Sequence, residues 1–555
     1  MVCNDFFIFL DGYPESGQYL PENCPRVIVP TGIVENCTED TAFQFRFICV
    51  SLKISIHLFN PVSMPFHTLR KTALLLSCLC FVGLGPIGIP HLNHTLKELD
   101  NTAVLRHATW GAYAVYADNG QVLMDHNSER GLAPASGLKA VTTSIALNEL
   151  GPDFRFKTSL FYDGNIGDDG ILHGNIYIKG GGDPTLGSDE VKGSLPLDAL
   201  MQQWVKAIKA VGIKKIDGPV IADNQIFSGN STPDYWLWMD IGNYYGAGAN
   251  GLTIHDDLYT LYFHPSRVVG RPARLLRMDP RIPGLTFIND MKTGAVGSGD
   301  NGYIYAGPLQ KVIVLRGTVP AGYTEFSDKG SIPDPALFAA DTLRSSLKSA
   351  GIAVSDSSRK ATGPVAYSAM HEITTTLSPK LSDIVYKTNK KSINLYAEHC
   401  LRMLAVHETG KGTEVEGVKT IRRFLKDHHI YSEGMHIYDG SGLSPADRIT
   451  PRTMVEQLVY ASKQSWFPDF YRSLGIAGDP DDIGYFNHFG NGTPIANNAR
   501  IKSGLISDAR SMSGYLHDKK GRLIVFSMIA NNYDGHKSDV DHLYKKVLIE
   551  LADLH

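Results

Sequence analysis

Two stretches at opposite ends of the chain restrict its fold more than anything between them. Near the start, "TWGAYAVYADNGQVLMDHNSER" alternates apolar and polar residues around Asp118-Asn119-Gly120, a strong hairpin signal. It runs into "GLAPASGLKAVTTSIALNELG", where Leu138, Val141, Ile145 and Leu150 recur at roughly helical spacing and Gly151 is a natural stop. Two strands therefore lead into a helix that begins near Ser136. At the far end, "ARIKSGLIS", "SMSGYLH" and "RLIVFSMIAN" read as strands, "DKKG" turns between the last two, and "VDHLYKKVLIELADLH" closes as a helix. Helices also return near 380, in "LSDIVYKTNKKSINLYAEHCLRMLAVHE".

The middle has another texture. "GNIYIKGGGDPTLG" is a strand ending in a glycine-rich turn, and a helix stopped by Gly212 follows. From 228 to 335 frequent Gly, Pro, Asp and Asn break short strands. The chain thus reads as an α/β protein in which 91–160 and 361–555 make one domain and 161–360 is a strand-rich insertion.

Composition excludes one class. The net charge is −4, with no long basic run, whereas nucleic-acid binders show a basic face. Of seven cysteines, Cys3, Cys24, Cys37, Cys49, Cys78 and Cys80 precede residue 81, and only Cys400 follows. Beyond that point a disulfide framework is impossible, no Cys/His grouping has zinc spacing, and Cys400 reads as a small core residue. Residues 64–90 read as a signal peptide: Arg70 and Lys71 precede the apolar run Thr72 to Leu84. Residues 1–63 read as an extension upstream of a true start at Met64. An exported protein of the periplasm or cell envelope is expected.

The candidate chemistry begins with Ser136 and Lys139 in "PASGLK". One helical turn apart, they share a face. A serine hydroxyl needs a base to take its proton, and a desolvated lysine can be that base. Read alone, Ser136 is better explained as a helix-capping serine, and Ser345…Lys348 and Ser357…Lys360 repeat the spacing. Next, Ser392 and Asn394 in "NKKSINLYAE" can present a hydroxyl and an amide to one cleft; Ser228-Gly229-Asn230 matches the same letters. Last come two lysine–hydroxyl–glycine triplets. Lys292-Thr293-Gly294 lies in a glycine-rich turn region of the insertion and precedes Ser392. Lys502-Ser503-Gly504 lies on a strand with a hairpin partner and follows Ser392.

Serine-lysine, then serine-asparagine, then lysine-hydroxyl-glycine is the order of penicillin-binding proteins and class A β-lactamases. With "PASGLK", "GNIYIKGGGDPTL", "VIADNQIF", "NKKSINLYAEH", "YDGSGLSPADRITP" and "IKSGLISDARSMSGYL", the chain resembles the D-alanyl-D-alanine carboxypeptidase/endopeptidases of the low-molecular-mass class C penicillin-binding proteins. Ser392 follows Ser136 by 256 residues, which suits that branch and its long insertion. The resemblance implies a penicillin-binding/β-lactamase-like transpeptidase fold, an antiparallel sheet flanked by helices. It implies a serine peptidase acting on peptidoglycan stem peptides, inhibited by β-lactams, with no metal or organic cofactor. Ser136 would be the acylated nucleophile and Lys139 its base. Ser392 and Asn394 would relay a proton and position substrate, while Lys502 and Ser503 would bind the terminal carboxylate. The N–H groups of Ser136 and Leu505 would form the oxyanion hole. Asp223 would bind the amino group of a diaminopimelate side chain.

Several positions depart from that pattern. Leu505 replaces a hydroxyl residue, Gly137 a common Thr, and Asp508 and Ala509 stand where apolar residues are usual. Two rivals are a β-lactamase or esterase on the same fold and a non-catalytic peptidoglycan-binding relative. The closing helix is expected to pack on the sheet, with peripheral membrane contact and a homodimer left open.

Overall fold

In a computed structural model, the described residues are 89–555. The expected signal segment, apart from Ile89 and Pro90, and the extension 1–63 lie outside them.

The two ends of the described residues meet in one sheet. Its six strands run Gly475–Ile476, Arg500–Ile506, Ala509–His517, Leu523–Asn531, Thr109–Tyr116, Val122–His126, every neighbour antiparallel. Strand alternation then sorts side chains onto two faces. Trp110, Ala112, Ala114, Met512 and Phe526 face the helices Ile89–Asp100 and Lys537–Ala552, through Leu92, Leu96, Tyr544 and Leu548. Tyr113, Val115, Tyr515, Val525 and Ile529 face the opposite core, with Val141, Ile145, Leu401, Leu404 and Leu458. The closing helix starts at Lys537, three residues earlier than its apolar pattern suggests, and packs on the sheet through Val540, Tyr544, Val547, Leu548 and Leu551. Among the described residues no helix is long and apolar enough to cross a membrane.

The inserted region has its own core, around Trp204, Ile208, Ile178, Leu261, Phe263, Ile313, Leu315 and Leu343. Its largest sheet orders Arg359–Lys360, Val220–Asp223, Ile176–Lys179, Lys157–Tyr162 and His371–Leu377. Lys157–Tyr162, which straddles the bound expected at 160/161, pairs in this sheet with His371–Leu377, which lies beyond the bound expected at 360/361. "MKTG" is a strand rather than a turn: Lys292–Gly294 pairs in parallel with Val312–Pro320.

One helix fastens the insertion to the rest. Asn394–Thr409 turns Tyr396, His399 and Arg402, three residues apart on one face, toward inserted loops. Tyr396 Oη donates to Asp256 (2.6 Å). His399 Nδ1 sits 2.8 Å from Gly182 O, and burial pushes the ring down to about 3, so it stays neutral and donates there. Arg402 donates to Ser228 O (3.0 Å) and to Asn230 O. Ser228-Gly229-Asn230, which mimics a catalytic triplet in sequence, thus acts through its carbonyls as an anchor.

Candidate active site

Ser136 sits on the 3-10 turn Ala135–Leu138, and the α-helix Lys139–Leu150 starts one turn later. Lys139 is wholly buried. Its Nζ lies 2.8 Å from Ser136 Oγ, 2.5 Å from Asn394 Oδ1 and 2.7 Å from Ser441 O. Burial pushes its amine down to about 7, against the opposing pull of Asp439, Glu398 and Asp447. Two of the three partners are carbonyl oxygens that can only accept; the third is a hydroxyl that can donate. A neutral amine therefore donates to Asn394 and Ser441 and turns its lone pair toward Ser136.

The loop that supplies Ser441 O is organised by buried carboxylates. Asp439 accepts the N–H groups of Ser441 (3.1 Å), Gly442 (2.6 Å) and Ser444 (2.8 Å), and Trp236 Nε1 (2.7 Å). Glu398 accepts the N–H of Gly440 and Ser441, and burial raises its carboxyl well above the usual range. "YDGSGLS" thus builds a backbone acceptor for Lys139.

Ser392 ends the helix Leu381–Lys391 in the left-handed region (φ 57°, ψ 39°). That conformation costs a non-glycine residue about 1–3 kcal/mol. It is held by Ile393 N–H on Thr388 O (3.1 Å) and by Lys502 Nζ on Ser392 Oγ (3.0 Å). The sharp turn lets the next helix begin at Asn394, whose Nδ2 donates to Tyr245 O (2.7 Å). Lys502 is also buried, and desolvation, then the cations Lys139 and Arg510, push its amine well below the usual range.

Strand Arg500–Ile506 comes against the nucleophile turn. A Cβ on Gly504 would meet Pro134 O at 2.2 Å and Gly137 N at 2.7 Å, so only glycine fits. The departure at Gly137 has a similar cause: an added Cβ would meet Ser511 Oγ at 2.6 Å. Ser511 occupies that space and donates to Pro134 O (2.5 Å).

Ser136, Ser392, Asn394, Ser503 and Leu505 line one cleft of about 1040 Å³, and Lys139 and Lys502 lie behind it. Leu505 is exposed there. Asp223 is not brought to them. It ends the strand Val220–Asp223 and accepts Tyr367 Oη (2.6 Å) and Gln225 N (3.0 Å) within the insertion. Among the carboxylates that line the cleft, with Glu190, Asp256 and Asp541, is Asp240, half-buried, which accepts Tyr245 Oη (3.2 Å) and is pushed up by burial. Asp223 was expected from the family likeness of "VIADNQIF"; the short helix Trp238–Ile241 that carries Asp240 to the cleft had no local signal. Lys292 and Thr293 do not line the cleft: Lys292 is exposed, and Thr293 Oγ1 accepts Ser266 N (2.8 Å). Among the described residues no group of three His, Cys, Asp or Glu is placed to hold a metal, and Cys400 is buried and unpaired.

The chain as a whole resembles known proteins. The chain is 26% identical to the D-alanyl-D-alanine carboxypeptidase of Actinomadura sp. (strain R39) over 454 residues, covering 80% of this chain and 82% of that one. It is 23% identical to the D-alanyl-D-alanine carboxypeptidase DacB of Haemophilus influenzae over 458 residues, 80% of this chain and 88% of that one. The crystal structure of penicillin binding protein 4 from Haemophilus influenzae superposes with a TM-score of 0.71 at 20% identity, covering 84% of this chain and all of that one. The fold is therefore the penicillin-binding one, with an antiparallel sheet flanked by helices. Residues 92–550, nearly the whole described chain, match one family throughout, and the chain belongs to that family, the D-Ala-D-Ala carboxypeptidase 3 (S13) family.

Proposed function

We propose that this serine peptidase cleaves D-alanyl bonds of peptidoglycan stem peptides through an acyl-enzyme on Ser136. The observation that carries the reading is the buried Lys139 amine, 2.8 Å from Ser136 Oγ and lowered to about 7. The neutral amine takes the hydroxyl proton as Oγ attacks the carbonyl carbon. The N–H groups of Ser136 and Leu505 receive the oxyanion. As the C–N bond breaks, Ser392 gives its hydroxyl proton to the leaving amine and recovers one from Lys502; the proton that Lys139 took from Ser136 then passes through Ser392 to Lys502, so that Lys139 is neutral again. Water then attacks the ester, with Lys139 again as base, and releases the shortened peptide. Asn394 orients the substrate amide and holds Lys139. Lys502 and Ser503 bind the terminal carboxylate, whose charge favours the ammonium form of Lys502. Asp240, rather than Asp223, binds a side-chain ammonium of the stem peptide, because it alone of the two faces the cleft.

A β-lactam presents a strained amide and a carboxylate in the same places and acylates Ser136; a structure of the Haemophilus relative carries one (TM-score 0.66, 19% identity). The substrate puts the work outside the cytoplasm, in the cell envelope. The test is release of D-alanine from a pentapeptide ending in D-Ala-D-Ala. Wild type is expected to release it and Ser136→Ala to release none; release by Ser136→Ala would end the assignment.

A further inference from the structure

Leu505 removes a hydroxyl from the strand that is to bind the substrate carboxylate, and the structure puts a cation beside the gap. Leu505 pairs directly with Arg510 across the hairpin. Directly paired residues project to one face, and so do residues two apart on a strand. Arg510 therefore shares the face of Leu505 and Ser503, while Lys502 and Gly504 look toward the nucleophile. Diagonal neighbours such as Arg510 and Ser503 stand roughly 7–8 Å apart, within reach of an arginine.

Arg510 is 7% exposed and lines the cleft together with Ser503, Leu505, Lys537 and Asp541. Its fork is braced: Nε donates to Asp541 on the closing helix (2.6 Å) and Nη1 to Gly504 O (3.2 Å). Nη2 has no hydrogen-bond partner among the described residues. Asp541 neutralises one charge, and Arg510 with Lys537 leaves this end of the cleft positive. Asp508, the added acid of the hairpin, does not line it.

We propose that Arg510 binds the substrate's terminal carboxylate through its free Nη2 edge, replacing the hydroxyl that Leu505 lacks. The proposal rests on the acyl-enzyme reading above. Arginine suits the role because its planar fork can accept bracing on one edge and offer the other to a carboxylate.

The test compares acylation of Ser136 by benzylpenicillin with acylation by its methyl ester, which has no carboxylate. Arg510→Gln is expected to slow the penicillin reaction about 10- to 100-fold, the value of one charge-assisted hydrogen bond, and to leave the ester reaction unchanged. Adding Leu505→Thr to Arg510→Gln is expected to restore much of the loss. An equal loss on both probes by folded protein, or no loss on either, overturns the role of Arg510. Should Arg510→Gln fail to fold, Arg510→Lys, which keeps the pairing with Asp541, decides: it must show a smaller loss confined to penicillin. Wild type that reacts with neither probe overturns the nucleophile assignment itself, a result distinct from any failure at Arg510.

Discussion

The two walls of the cleft are built differently. The Lys139 amine has three partners: it meets Ser136, Asn394 and Ser441, and that last carbonyl stands on a loop tied to Asp439 and Glu398. Across from it, strand Arg500–Ile506 carries a half-buried Ser503 and an exposed Leu505, with Arg510 one strand away. The first wall lowers a lysine by burial, and burial works only if no partner is lost. The second, on the proposed reading, meets an anion that arrives from water, and Ser503 and Leu505 stay accessible on it. One wall is thus fixed by its internal contacts, while the other presents a side chain, Leu505, that makes none of the polar contacts of its neighbours.

Removing the base should show the contrast most strongly. Lys139→Met is expected to slow acylation by about 10²–10⁴-fold, the usual worth of a general base, measured by stopped-flow with a chromogenic β-lactam. Gly504→Ala strikes where the walls touch. Its Cβ would meet Pro134 O at 2.2 Å, so a loss of stability of about 1–3 kcal/mol, as for other overpacked sites, is expected in thermal melts, together with slower acylation.

The pH profile separates the walls more finely. Lys139 is competent as a base when neutral, and its neutral fraction grows as pH rises through about 7. Acylation by a carboxylate-free ester should therefore rise with pH across that value and level off above it. A profile flat from pH 5 to 9 would remove Lys139 from the role. The smallest effect is expected at the mimic in the insertion: Lys292→Ala should leave acylation unchanged, because Lys292 is exposed on the strand Lys292–Gly294 and does not line the cleft.

What was legible in the sequence follows the same division. Hairpin, helix and closing strands announced themselves through turn residues and periodicity, and they carry Ser136, Lys139 and Lys502. Order along the chain singled out Lys502-Ser503-Gly504 over the letter-perfect Lys292-Thr293-Gly294. Contacts made by backbone or by distant loops were not legible. Ser441 holds Lys139 through a carbonyl, which no side-chain pattern reports. Asp240 reaches the cleft on the short helix Trp238–Ile241 of the insertion, whereas Asp223 was named from the likeness of "VIADNQIF" to a family motif. Arg510 was within reach: counting back across the turn from Leu505 pairs the two, but the departure at Leu505 drew attention to a loss rather than to its neighbour.

The central claim is that Ser136 is acylated with Lys139 as its base. Intact-protein mass after incubation with benzylpenicillin, followed by peptide mapping, tests it most directly. The account predicts a penicilloyl adduct mapped to Ser136, absent from Ser136→Ala and formed far more slowly on Lys139→Met. An adduct on another residue, or one that forms equally well on Ser136→Ala, would contradict it.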